Sequence, residues 1–577
     1  VAIFCRSGRD DAFRTPHPAV SGAILLATNG ISVDTMTGVG ALNKQFNIGQ
    51  ICTREQCHVG NANKVAFRWF PTVDERIDYT FQELEEQSNK FANALSSLGF
   101  SAGDILFTFL PKCPEQFFAF LGALKQEVII APLFANFGDE ALYDRLSDAG
   151  AKGIVTKKSL LKKILRIRGK LPSLEHIIVI DGDGHQSGGI YSYNELMRHC
   201  RDSFTILPTT SSTPSVLHYT SGSTGKPKGV LHLHGSVDRQ SRTGREVLNL
   251  TAKDVFWCTA DQGWVTGTSY GIIAPWSLGI TQVHYGGSYD AAAWFRLLET
   301  NAVTVWYTSP TALRMLLREE EDLFGRFRLD NLRHIFSVGE PLNPEVIQWS
   351  RRVLAQDIYD TWFQTETGAI TITNRPGIAV RTGSMGKPAD GTEVAIIGDN
   401  GCLLPDGESG NLCLNSNSQY LFAAYLNNEA VYASKFKNGW YYTGDRAHKD
   451  ADGYFWFEGR SDDIINTAGH LISPFEVESS LLEIAEVAES GVIGAPDDLL
   501  YEKLVAFVAL RPTHVPTREL EMKIRLHLSN RLSTIATPQE IVFVDTVPKN
   551  KSGKIMRRLL KARYLGNDEG DTSTLEI

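Results

Sequence analysis

A chain of 577 residues is longer than one compact core can organise, so its length asks for several structural units. With 42% hydrophobic and 21% charged residues, the composition excludes a fibrous or largely disordered protein. Fifty-seven basic against 66 acidic side chains give a net charge of -9, which argues against a general affinity for nucleic acid or anionic membranes.

In chain order, the first apolar patch, Ala23 to Ala27, is far shorter than the roughly 20 residues of a membrane span. Asp10 and Asp11 dilute the basic run that Arg6, Arg9 and Arg14 would lend a signal peptide. Residues 1–45 are read as an N-terminal extension without an assigned role. The eight cysteines are scattered, with no CxxC pair and no Cys/His cluster at zinc spacing, so a reducing cytoplasm is the expected location.

Thr80 followed by Glu83 forms a capping box, and Phe81, Leu84, Phe91, Leu95 and Leu98 recur at helical spacing until Gly99. A strand over Ile105 to Leu110, a helix opened near Pro114, a buried strand over Val128 to Leu133, a helix from Glu140 and a strand at Gly153 to Thr156 follow. Such alternation predicts a parallel sheet covered on both faces. It resumes after the loop at residues 207–230 and runs to about residue 375, predicting a second α/β layer. From Gly383 to Phe457 short strands separated by Gly, Asn and Asp turns predict a small, barrel-like β unit. Beyond Arg460 the pattern becomes α+β: a helix after Pro474, strands near Gly491 and at Leu504 to Leu510, a helix over Arg518 to Leu532 and a strand at Ile541 to Val544. The fold class is thus α/β, with a large N-terminal part of two layered subdomains plus a β unit over 46–460, and a smaller α+β domain over 461–577.

The sharpest local signal is Tyr219-Thr-Ser-Gly-Ser-Thr-Gly-Lys-Pro-Lys-Gly229. Glycines free backbone amides, hydroxyls offer donors and lysines bring charge, a combination that can wrap a polyphosphate. It is not a Walker A loop, because Pro227 follows Lys226 where Ser or Thr is required. Taken alone, such a stretch would pass for a flexible linker.

The loop resembles the signature phosphate loop of the acyl-adenylate-forming enzymes. The resemblance covers almost the whole chain from about residue 46. It continues through Ala260-Asp-Gln-Gly-Trp-Val-Thr-Gly267, Val338-Gly-Glu-Pro341, Asp360-Thr-Trp-Phe-Gln-Thr-Glu-Thr-Gly368, Tyr442-Thr-Gly-Asp445, Gly459-Arg-Ser-Asp-Asp463 and Lys551-Ser-Gly-Lys554. Within that group the wording around Trp264, Pro341 and Asp360 is most similar to acetyl-CoA synthetases, especially the shorter bacterial form. The resemblance implies a luciferase/acyl-CoA synthetase-like fold: an adenylation domain over 46–460 and a mobile C-terminal lid over 461–577. It implies activation of a short carboxylic acid by ATP, release of pyrophosphate, and transfer of the acyl group to coenzyme A, with Mg2+ as cofactor.

Carried over by position, Thr220, Ser221, Gly222, Ser223, Thr224, Gly225 and Lys228 would cradle the phosphates, Glu366 would place Mg2+, and Thr365 would face the α-phosphate. Gly339, Glu340 and Pro341 would form the adenine platform, with Asp360, Thr361 and Gln364 lining the nucleotide. Asp445 would accept the ribose hydroxyls, and Arg460 would add a second ribose or phosphate contact. Lys554 would enter the site for adenylation, which also makes it the natural target of a lysine acetyltransferase and deacetylase. Asp462 would be the hinge, and Gly469 would give the pantetheine arm clearance. The acyl pocket would be Trp264, Val265, Thr266, Val338, Trp362 and Phe363. In acetate-specific relatives the last position is usually Trp, so Phe363 leaves room for a larger short-chain, branched or cyclic acid. Leu471 stands where relatives carry Arg, and this one departure motivates an alternative of another class, a catalytically impaired nucleotide or acyl-CoA sensor. No carrier-attachment motif follows Lys554 in this sequence, which favours free coenzyme A over a tethered acceptor. Each half-reaction is reversible, so the net direction stays open.

Overall fold

The computed structural model describes residues 46–182, 188–221, 227–418, 421–468, 470–497, 499–550 and 554–569, with 572 and 575. Two large sheets carry the N-terminal part. The first has eight strands in the order Ala424–Tyr425, Pro227–Leu233, Pro214–Ser221, Ile129–Phe134, Ile105–Leu110, Gly153–Thr156, His176–Val179 and Ile190–Ser192. From Pro214–Ser221 onward all pairings are parallel, whereas the two strands at the other edge run antiparallel. The expected parallel sheet therefore has an antiparallel margin, because Pro214–Ser221 and Pro227–Leu233 form a hairpin and a hairpin must return antiparallel.

The second sheet has nine strands: Lys387–Pro388, Ile372–Thr373, Ile358–Trp362, His334–Val338, Val305–Thr308, Val255–Cys258, Thr281–Tyr285, Val65–Phe70 and Ile77–Thr80. Val65–Phe70 pairs in parallel with Thr281–Tyr285, so the start of the described chain closes a sheet otherwise built from residues beyond 250. The helix Phe81–Ser97 opens on the expected capping box, with Thr80 Oγ1 accepting from Glu83 N and Glu83 Oε2 accepting from Thr80 N at 2.7 Å. A cap of this kind contributes about 1 kcal/mol. Pro114–Lys125 is buried at every position but Glu115 and packs on Phe81–Ser97 through Phe91, Phe117 and Leu121.

The β unit is a five-stranded antiparallel sheet in which Trp440–Lys449 lies between Gly410–Asn415 and Phe455–Arg460. After it, the long hairpin Val487–Asp497 and Tyr501–Leu510 takes Glu540–Val544 in parallel. Pro474–Leu482 and Arg518–Arg531 supply Val477, Leu481, Ile524 and Leu528 to its core. A further helix, Arg557–Leu565, was not anticipated; Leu560 seats against Gly491, where an added Cβ would lie 2.8 Å from its methyl. Among the described residues few bonds join this last unit to the rest: Arg318 meets Glu489 at 3.3 Å and the Ala488 carbonyl at 3.1 Å, Asn343 Nδ2 donates to Ser479 Oγ at 3.5 Å, and the Ser473 hydroxyl donates to the Glu458 carbonyl. Among the described residues no helix is long and apolar enough to cross a membrane.

Candidate active site

Antiparallel pairing sets Asp445 opposite Arg460. Asp445 is 4% exposed. Its Oδ1 accepts from Arg460 Nη1 at 2.8 Å, and its Oδ2 accepts from the Trp362 indole N–H at 3.0 Å and the Gln364 amide at 3.1 Å. Charge-assisted bonds are about twice as strong as neutral ones, and the Asp445 charge, ahead of any other influence, lifts Arg460 further above its ordinary pKa. The Trp362 indole N–H thus serves Asp445, and Trp362 and Phe363 fall in different apolar clusters. Phe363 instead packs edge-on to Tyr270 at 5.6 Å, in the cluster that holds Val338.

Thr220 pairs with Lys228 and Ser221 with Pro227 across the hairpin. Gly222, Ser223, Thr224 and Gly225 lie outside the described residues, as does the Ser221 side chain. Behind the hairpin Tyr425 pairs with Val230, and Lys228 Nζ stands 5.8 Å from the centre of the Tyr425 ring. Residues 364–368 are fastened to this hairpin at one point and to residues 422–425 beside it at two. His232 Nε2 donates to the Thr365 carbonyl at 2.8 Å, the Phe422 amide donates to the Glu366 carbonyl at 2.8 Å, and the Tyr425 hydroxyl donates to Glu366 Oε1 at 2.7 Å. Burial takes His232 down to about 4 in spite of its bond to Thr365, so the ring is neutral and keeps Nε2 as the donor. Gly368, at φ +65°, leaves no room for a side chain, since a Cβ would lie 2.8 Å from the imidazole.

Gly339 turns at φ +97° with open space over its Cα. The Glu340 carboxylate faces away from that space, accepting from Thr311 Oγ1 at 2.8 Å and from Arg314 Nη2 at 2.5 Å, which leaves the backbone of residues 339–341 as the surface. Asp360, 8% exposed, has an Oδ1 without a hydrogen-bond partner among the described residues, and burial pushes its carboxyl well up. The Thr361 hydroxyl is occupied by the Ser337 carbonyl and the Tyr307 hydroxyl, each at 2.7 Å, so it pins three strands together.

Val265 and Thr266 begin the short helix Val265–Thr268, both buried. Trp264 just before it packs edge-on to Phe134 at 4.8 Å, in a different cluster from Val338 and Phe363.

Lys554 lies on a narrow bridge closed by Lys549 and Ile555, with its amide donating to Asn550 Oδ1 at 2.9 Å. The residue is exposed, and its ammonium feels the charges of Arg460, Asp463, Asp445 and Arg557. Desolvation and then Arg460 hold its pKa below the ordinary lysine value, against the opposing pull of Asp463 and Asp445. Lys554 and Asp445 thus share one electrostatic neighbourhood. Asp462 is exposed in the turn where the Asp463 and Ile464 amides both donate to the Arg460 carbonyl. Gly469 and the Leu471 side chain lie outside the described residues, while Ala468 beside them adopts φ +50°.

Four residues join the site that the sequence reading missed: His232, Tyr425, Tyr441 and Lys435. The Tyr441 hydroxyl reaches Gln364 Oε1 at 3.3 Å. Desolvation lowers the Lys435 pKa, and its ammonium feels Arg460, Glu366, Lys228 and Asp462. The two tyrosines read as core aromatics in an apolar run, and only their hydroxyls distinguish them.

The AMP-binding enzyme family matches residues 54–426, and its C-terminal domain matches residues 476–554. The chain is 45% identical over 516 residues to the acetyl-coenzyme A synthetase of Bacillus subtilis (strain 168), covering 89% of this chain and 90% of that one. It is 35% identical to the acetyl-coenzyme A synthetase of Pyrobaculum aerophilum, over 92% of this chain and 85% of that one. Among solved structures, the anthranilate CoA ligase AuaEII in complex with anthranoyl-AMP superimposes with a TM-score of 0.83 at 32% identity, over 91% of this chain and 98% of that one. With its fold, its phosphate hairpin and the carboxylate at Asp445, the chain belongs to the AMP-binding enzyme family.

Proposed function

We propose that this chain is an AMP-forming acetate–CoA ligase, which joins acetate to ATP as an acyl-adenylate with release of pyrophosphate and then passes the acetyl group to coenzyme A. The observation that carries the reading is the convergence of Asp445, Arg460 and the Lys554 ammonium on one cleft beside the phosphate hairpin. The 45% identity to an acetyl-coenzyme A synthetase over most of both chains supports acetate as the acid.

The acid's own carboxylate attacks the α-phosphate, so the protein positions charge and contributes no nucleophile. In this reading Asp445 takes the ribose hydroxyls, the backbone at 339–341 carries the adenine, and the partnerless Asp360 Oδ1 accepts from the adenine amino group. Thr220, Lys228 and the loop between them hold the phosphates. Lys554 balances the charge that builds on the α-phosphate and the acid. Phe363 and Val338 close the acyl pocket with Val265 and Thr266. The next half-reaction follows a rotation of residues 461–577 about Asp462, which withdraws Lys554 and brings the 467–471 loop toward the pantetheine arm.

Glu366 Oε2 takes no hydrogen bond from the described residues, and no group of three or more His, Cys, Asp or Glu side chains among them could hold a metal ion unaided. One carboxylate with phosphate oxygens and water completing the sphere is the donor set that suits Mg2+, so Glu366 fits it. When bound, the ion neutralises phosphate charge. A cytoplasmic location and an acetyltransferase and deacetylase acting on Lys554 belong to the same reading.

The experiment is a panel of carboxylic acids in pyrophosphate exchange, with and without coenzyme A. Acetate-dependent exchange and an acetyl-CoA product are expected. Nucleotide binding without exchange for any acid would support the impaired sensor instead, and a stronger response to a branched or cyclic acid would reassign the pocket.

A further inference from the structure

Glu366 stands among cations. Its charge acts on Arg460 and on Lys435, and Lys228 lies at the same edge of the cleft. A carboxylate free to rotate there would form an ion pair with one of them, and its oxygens would be lost to any metal. The backbone of the loop is already fixed by His232 on the Thr365 carbonyl and by the Phe422 amide on the Glu366 carbonyl. What remains loose is the Glu366 side chain, and among the described residues one group holds it: the Tyr425 hydroxyl, 2.7 Å from Oε1.

Tyr425 is itself firmly placed. It is 3% exposed, pairs with Val230 on the phosphate-hairpin strand, and packs edge-on to Phe422 with ring centres 4.6 Å apart. Between a phenol hydroxyl and a carboxylate, the hydroxyl is the donor. Its ring also carries Lys228 Nζ at 5.8 Å, so one side chain sets the spacing between the phosphate-loop lysine and the acid.

We infer that Tyr425 is a positioning residue that holds the Glu366 carboxylate for Mg2+ and keeps it from capture by Lys228, Lys435 and Arg460. This rests on the assignment of Glu366 to the metal made above. The hydroxyl touches neither substrate nor metal; it fixes Oε1, which turns Oε2 toward the phosphates. His232 does the corresponding work on the backbone, so loss of the Tyr425 hydroxyl leaves the loop in place and frees only the carboxylate.

The test is equilibrium binding of ATP to the full chain, without acid or coenzyme A, over a series of Mg2+ concentrations, followed by tryptophan fluorescence or calorimetry. Tyr425→Phe keeps the ring, the packing on Phe422 and the contact with Lys228. Its affinity for ATP without Mg2+ is expected to equal that of the parent chain, while the gain in affinity that Mg2+ brings falls roughly tenfold or more, as for a lost hydrogen bond to a charged group. Glu366→Gln should lose that gain too, and the double variant should lose no more than Glu366→Gln alone. Tyr425→Leu should in addition weaken Mg2+-free ATP binding, because Lys228 loses its seat. A Tyr425→Phe curve that coincides with the parent overturns the inference while leaving Glu366 as the metal carboxylate. If Glu366→Gln also coincides with the parent, the assignment of Glu366 itself fails. Additive losses in the double variant would show that Tyr425 acts through another group, which overturns the inference as well.

Discussion

Arg557 Nη1 lies 3.3 Å from Asp463 Oδ2, so the residue three places beyond Lys554 is tied to the residue next to Asp462. The same guanidinium grips Glu478 through Nε at 2.9 Å and through Nη2, and Glu478 is 4% exposed. A fork with two carboxylates is a task for Arg rather than Lys. The Lys554 bridge and Asp463 are therefore joined through Arg557, so the rotation about Asp462 proposed above would carry Lys554 with it.

Arg557→Met leaves the Glu478 charge buried and unpaired. The expected cost is about 3 to 5 kcal/mol for the C-terminal unit, read as a lowered midpoint in denaturant unfolding. Arg557→Lys should recover only part of it, because one ammonium cannot reproduce the two-pronged grip on Glu478. A midpoint for Arg557→Met equal to that of the parent would show that the assembly is not held this way.

Lys554→Ala is expected to lower acetate-dependent pyrophosphate exchange by about 100-fold or more, the scale seen when one donor to a developing oxyanion is removed. Thioester formation from supplied acetyl-adenylate should persist, because Lys554 has left the site by then. The pH dependence has a definite sign. The ammonium is needed in its charged form, and its pKa lies below the ordinary lysine value, so exchange should decline with rising pH earlier than an unperturbed lysine near 10.4 would allow. Lys554→Arg keeps its charge over that range and should remove the decline even where its rate is lower.

The acyl pocket makes its own test. Phe363 packs with Val338 and Tyr270 and leaves more room than an indole would. Phe363→Trp should therefore keep acetate as substrate and lower kcat/KM for propionate relative to acetate by about 10- to 200-fold, the worth of one methylene. An unchanged ratio would mean that Phe363 does not set the depth of the pocket.

Local signals carried much of this chain. The Thr80/Glu83 box opens the helix where the spacing says it should, and runs such as Ile105–Leu110 and Gly153–Thr156 are strands with the expected limits. Pairings over long separations were not legible: nothing near Val65 announces Thr281–Tyr285 as its neighbour. The same limit applied inside the site. A motif can mark Glu366, but the hydroxyl that orients it sits on Tyr425, some 60 positions later by sequence number, in an apolar run that reads as core. The helix Arg557–Leu565 was overlooked because its basic residues mask the apolar positions Leu559, Leu560 and Ala562.

One buried ion cluster lies apart from the chemistry and makes stability depend on acid. Lys125 Nζ, its side chain 0% exposed, bonds Glu85 Oε2 at 2.5 Å, Ser88 Oγ at 2.7 Å and Asn89 Oδ1 at 2.8 Å. Thr53 Oγ1 and Arg54 Nε add donors to Glu85 at 2.6 and 2.9 Å. Burial alone would raise the Glu85 carboxyl, but Lys125 and these hydrogen bonds outweigh it and bring the group down to about 2. A carboxyl depressed on folding contributes stability that is complete above its unfolded value, about 4.3, and is lost as the pH falls toward the folded value. Glu85→Gln removes the titrating group, so its denaturant midpoint should fall below that of the parent at pH 7 and approach it as the pH drops from 5 to 2. Midpoints that run parallel over that whole interval would mean that Glu85 is not paired in the folded chain as its contacts with Lys125 and Arg54 require.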